Sequence, residues 1–273
     1  MDNELENLAP ANGANAIVSA AFAIDLEIPL GDPSLVTAFG LLAPQMARAG
    51  FDPPQPQMIF NMAIGPVMST ANAVQQLGGY AFARKNTAGQ LVREFAFRGN
   101  SISVVVHDYT RWASIWPEVE SLFGLCSPMI AGSGKAIKSI ALQYIDKFTW
   151  RQQDAPFPTK KVLRTGSPQI LPTALELDSP WHNQFGCQRV QPAESWASYR
   201  LENVNMSLAA EGGFNALTLF TIYRYFARNP GREAPDFVTS IAPELFNQAH
   251  GDNKRLLREI LSDKVCDLIK LNN

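Results

Sequence analysis

Residues 91–106 read LVREFAFRGNSISVVV, and their apolar positions change phase across a single turn. Before the turn the odd positions Leu91, Phe95 and Phe97 are apolar; after Arg98-Gly99-Asn100 the even positions Ile102, Val104 and Val106 are. Each segment therefore buries one face, and Gly99-Asn100 is a pair suited to the positive φ of tight turns. This predicts a short β-hairpin. Beyond it, Trp112, Ile115, Trp116, Val119, Leu122 and Phe123 recur at helical spacing. The spacing predicts an amphipathic helix with Thr110 as its N-cap and Pro117 either kinking it or marking a later start. Gly132-Ser133-Gly134 is expected to close it. A long strand is then predicted from Lys135 to Trp150, with Ile140, Leu142, Tyr144, Phe148 and Trp150 on one face. Ser139, Gln143, Lys147 and Thr149 lie on the other, interrupted by Ile137 and Ile145.

Outward from this stretch, Ala16–Ile28 reads as a strand, and Asp32-Pro33 opens a helix that runs to Gly50. Strand-like runs occupy Gln57–Ala63 and Gly78–Lys85. The five prolines between Gln152 and Trp181 predict a surface connector with one short element near Ile170–Leu177. Further strands are expected over Gly186–Leu201, Glu202–Ala210 and Ala216–Arg228, and a closing helix over Asp252–Leu271. The hairpins argue for antiparallel pairing and an α+β class, with sheet packed by long helices. The element order divides the chain into a loose tail, 1–15, and two α+β halves of like order, 16–134 and 135–273, forming one compact unit.

Composition narrows the function classes. The 273 residues carry 23 Lys and Arg against 25 Asp and Glu, with no basic run, so no electrostatic grip on nucleic acid is expected. Only 18% of residues are charged, which leaves uncharged surface suited to a partner interface. Cys126, Cys187 and Cys266 are odd in number and widely separated, which suits a reducing cytoplasm. Residues 1–15 do not read as a secretion signal, and no uncharged run is long enough to span a bilayer.

No catalytic signature stands out. Gly132-Ser133-Gly134-Lys135 superficially resembles the end of a phosphate loop, but Met129 stands where the first glycine is required and a strand follows where a helix is needed. His107-Asp108-Tyr109 with Arg111 lies at a strand-to-helix handover; the reading adopted is helix capping by Asp108 or Thr110, with Tyr109 and Trp112 packed beneath. His182 and His250 are isolated, so no metal site is expected, nor any cofactor. Tyr223, Arg224, Tyr225, Phe226 and Arg228 read as a core strand edged by charge.

Several segments together resemble a sporadically distributed family of uncharacterised prokaryotic proteins of about this length: the strand AIVSAAFAIDLEI, the YTRWASIWPEVESLF helix from Tyr109, the strand KAIKSIALQYIDKF, the passage ending PQILP and the helix from HGDNKRLLREILSDKV. Here Ala141-Leu142-Gln143 replaces the Gly-Leu-Arg expected of that family. The resemblance implies an α+β fold and an accessory role, such as in a defence or regulatory system, and supplies no catalytic residues.

The expectation is therefore a non-enzymatic cytosolic module that binds a protein partner or a second copy of itself. The alternative is a small-molecule-binding protein or enzyme with a pocket between sheet and helix. Tyr109, Arg111, Tyr144 and Arg200 are the residues expected at a ligand or partner site.

Overall fold

A computed structural model describes residues 5–27, 32–61, 74–128, 130, 136–153, 155–230 and 237–271. The Gly132–Lys135 turn lies outside them. Ten strands form one antiparallel sheet: β1 (Leu8–Pro10), β2 (Ile17–Leu26), β3 (Gln55–Asn61), β4 (Val74–Lys85), β5 (Leu91–Arg98), β6 (Ser101–Val106), β7 (Ile137–Trp150), β8 (Trp181–Val190), β9 (Ala197–Glu211) and β10 (Phe214–Ala227). Their order is β3-β4-β5-β6-β2-β7-β10-β9-β8, with β1 paired to the end of β7. The helices are α1 (Asp32–Arg48), α2 (Trp112–Gly124), the single turn α3 (Thr159–Val162), α4 (Ile241–Ile260) and α5 (Asp263–Leu268). The class is α+β, as the hairpins predict.

The predicted hairpin is β5–β6, in register from Arg93↔Val106 to Arg98↔Ser101. Gly99 has φ +60°, whereas Asn100 is not among the positive-φ residues, the pattern of a type II′ turn. Strands β2 and β7 lie at the centre, pairing Ala20↔Tyr144, Phe22↔Leu142 and Ile24↔Ile140. These side chains are all fully buried and point to the face that carries the helices. There Phe22 meets Trp112, Trp116 and Phe246, and Phe39 of α1 stacks on Tyr80 of β4 at 4.6 Å. Two β-bulges in the β2–β7 pairing change its facing pattern. Between Asp25 and Leu26 one brings Leu26 opposite Ile137, so the isoleucine that interrupts the polar pattern of β7 is itself core.

Four expectations are corrected. The tail is not loose throughout, because Leu8–Pro10 pairs with Phe148–Trp150. Helix α2 begins at Trp112 with Pro117 inside it, and its N-cap Arg111 makes no side-chain capping bond; Asp108 instead ion-pairs with Arg93. The strand boundary expected between Leu201 and Glu202 lies at Gln191–Trp196, where Pro192 cannot donate to a ladder. Finally, the closing helix starts earlier, at Ile241, and breaks at Leu261, whose extended backbone bridges Leu163.

Candidate functional site

The last four residues of the apolar face of β7 include one that does not belong to an apolar face. Asp146 stands between Tyr144 and Phe148, is 1% exposed, and has a carboxylate oxygen, Oδ2, with no hydrogen-bond partner. Burial pushes its carboxyl up to about 7. Beside it, the second bulge, between Ile17 and Ser19 of β2, places Ile17 opposite Asp146. Bulges commonly re-aim side chains next to functional sites, and Ile17 lines the cavity described next.

A cavity of about 370 Å³ opens between this corner of the sheet and the helices. Its floor is Tyr144 and Asp146 of β7; its walls are Tyr109 and Trp112 before and at the start of α2, and His250, Asn253 and Leu257 of α4. Residues 250, 253, 254 and 257 share one face of α4 because they are spaced by three and four. The floor is reached by a chain of polar groups. The Tyr144 hydroxyl lies 3.0 Å from His250 Nδ1 and is also in hydrogen-bonding contact with the Tyr109 hydroxyl. Burial raises Tyr109 to about 12 and Tyr144 well above the ordinary tyrosine value, so both hydroxyls keep their protons at neutral pH. His250 is held down to about 4 by burial and by Lys254, so its ring is neutral. Neutral phenols, a neutral imidazole and a carboxyl that titrates near neutrality can exchange hydrogen bonds with a ligand in either direction.

Aromatic stacking fixes the wall. His250 stacks on Trp112 with centroids 4.3 Å apart and planes 4° from parallel, and Trp112 stacks on Trp116 at 5.2 Å and 6°. The two tryptophans are one helical turn apart, so the three-ring stack ties α2 to α4 across the cavity wall. Trp112 Nε1 donates to Asn247 Oδ1 at 2.8 Å, and Asn253 Oδ1 accepts from Thr221 at 2.8 Å. Asn15 donates to the carbonyls of Tyr109 and Thr110 and fixes the handover from β6.

Of the residues expected at a site, Tyr109, Arg111 and Tyr144 line this one cavity. Arg200 does not. It lies on the other side of α4 in a polar cleft with Glu202, Asp252, Arg255 and Glu259. There it ion-pairs with Glu202 and Asp252, Tyr225 donates to Asp252 at 3.1 Å, and Arg189 reaches Glu202 at 3.0 Å. Its charge is thus answered within the protein. The sequence does not single out Asp146, and His250 reads there only as an isolated histidine. A carboxylate in the even-numbered apolar register of β7 was a readable signal; the distance between His250 and Trp112 in the chain hid the other.

No protein-family model matches the chain, and no curated protein does. The site is therefore read from its own geometry. Among the described residues no group of three or more His, Cys, Asp or Glu is placed to hold a metal ion, and no helix is long and apolar enough to cross a membrane.

Proposed function

We propose that the protein binds a small molecule in the cavity between β7, α2 and α4, with Asp146, Tyr109, Tyr144 and His250 supplying its polar contacts. The observation that carries this reading is the unpartnered Asp146 Oδ2 at the floor of a cavity whose lining is otherwise largely apolar. A buried carboxylate oxygen without a partner opposes folding, and a ligand that donates to it removes that cost. Pockets of this size with a few convergent polar groups and a perturbed carboxyl are the usual form of a ligand site. Thermal unfolding in the presence of host metabolite fractions tests it. At least one fraction should raise the wild-type midpoint by a few degrees and leave Ala113→Phe, which fills the cavity mouth from an exposed position, unmoved. Equal shifts in both proteins would refute it.

A second reading, a protein-interaction module, is supported by the sheet face that carries none of the described helices. Val105, Ile145, Phe220 and Ile222 lie there half-buried. The occupant we assign is a second copy of the chain, and sedimentation equilibrium should then show a dimer; a monomer at all concentrations would remove this reading. Cytoplasmic residence, supported by the free thiols of Cys126, Cys187 and Cys266, goes with either reading. So does membership in the sporadic prokaryotic family and its accessory roles. The sheet order also supports a duplicated origin: β2 and β7 are central neighbours, each flanked by the last strand of the meander that follows it.

A further inference from the structure

The mouth of the cavity is as distinctive as its floor. Arg111, Lys254 and Lys270 all line it, and none of the three forms an ion pair with a described residue. In a chain whose charges nearly balance, three cations around one opening without an ion pair to any described residue are not a consequence of composition. They approach from three separate elements: the residue before α2, the inner face of α4, and the turn after α5.

Lys270 adds a second, independent observation. Helix α5 ends in a paired motif in which the Lys270 amide donates to the Asp267 carbonyl at 3.0 Å and the Leu271 amide to the Cys266 carbonyl at 2.8 Å. That motif puts Lys270 in the left-handed region, with φ +54°, the only non-glycine residue described there. Glycine is the usual occupant because a Cβ strains this conformation. A lysine here sacrifices backbone comfort, and what it gains is a cationic side chain at the cavity mouth.

We propose that the ligand is an amphipathic organic anion, its apolar body against the Trp112–His250 wall and Leu257, its anionic group held at the mouth by Arg111, Lys254 and Lys270. This rests on the small-molecule reading of the same cavity. The anion meets cationic groups that form no ion pair with a described residue, and hydrogen bonds between opposite charges are charge-assisted. The end of the body nearest the floor carries a hydrogen-bonding group that reaches Asp146 and the tyrosine hydroxyls.

Two fluorescent probes separate this inference from the reading beneath it: anilinonaphthalene sulfonate, an aromatic anion, and phenylnaphthylamine, the same ring system without the sulfonate. Wild type should bind both at one saturable site, the sulfonate roughly tenfold more tightly, as loss of charge-assisted bonds would reverse. The variant Arg111→Gln/Lys254→Gln/Lys270→Gln should abolish that preference and keep the neutral probe. Ala113→Phe should lose both. Lys270→Gly alone should weaken the sulfonate while raising thermal stability, because it relieves the strained backbone. Equal affinities in wild type, or a preference that survives the triple variant, overturn the anion inference and leave the cavity reading intact. Undiminished binding of both probes to Ala113→Phe overturns the two together.

Discussion

The Tyr144 hydroxyl and His250 Nδ1, 3.0 Å apart, join the central strand of the sheet to the longest helix through a bond between residues 106 positions apart in the chain. Tyr144 is fully buried, so its hydroxyl depends on this contact and on Tyr109 for its hydrogen bonds. A double-mutant cycle with Tyr144→Phe and His250→Phe, read by denaturant unfolding, should give a coupling energy of about 1 kcal/mol. A coupling near zero would mean the two groups do not act as a pair.

Stability should depend on pH in two opposed ways around the same cavity. The Asp146 carboxyl rises from 3.8 to about 7 on folding, so between those values the unfolded chain has released a proton that the folded one keeps. Its contribution is present below the lower value and is lost as pH rises, by roughly 4 kcal/mol at most. His250 falls from 6.5 to about 4, so its contribution is present above the upper value and is lost as pH falls, by roughly 3 kcal/mol at most. The tyrosines facing them, Tyr109 and Tyr144, keep their protons across this range. The difference in unfolding free energy between Asp146→Asn and wild type should therefore grow with pH from about 4 to 7. The difference for His250→Phe should grow in the opposite direction, as pH falls from about 6.5 to 4.

Phe22 is the keystone between the sheet and two helices, fully buried against Trp112, Trp116 and Phe246. Phe22→Ala should cost about 3–5 kcal/mol by denaturant titration and loosen the three-ring stack that walls the cavity. Trp112 fluorescence should change accordingly.

Gly79 tests the sheet itself. It has φ +150°, and a Cβ there would come within 1.8 Å of the Phe97 carbonyl oxygen of β5, a backbone atom that cannot step aside. Gly79→Ala should cost more than about 3 kcal/mol. A variant as stable as wild type would mean that β4 and β5 approach less closely than described.

Local periodicity made much of this legible. The phase change at Gly99, the stripe of α2 and the alternation of β7 are properties of neighbouring residues; the hairpin and β7 stand where the pattern puts them, while α2 keeps its stripe but ends at Gly124, short of the expected Gly132-Ser133-Gly134. Bulges are where reading failed. A one-residue insertion reverses facing, so Ile137 looked polar-faced and Ile17 gave no hint of a cavity. Pro192 was overlooked as a strand terminator, which misplaced the β8–β9 turn. The site was half visible: Tyr109, Arg111 and Tyr144 cluster near elements that periodicity locates, but only the packing of α4 on β7 brings His250 to them. Arg200, singled out for the same site, is turned away by the width of α4 and neutralised by Glu202 and Asp252.

The central claim is that the cavity above Asp146 is occupied by a small molecule in the cell. The most direct measurement is mass spectrometry of what is released when the protein, purified from its native cells without denaturation, is unfolded, with Ala113→Phe prepared in parallel. One species at near-stoichiometric amount from wild type and absent from the variant is the predicted result. Identical extracts from both proteins would contradict it.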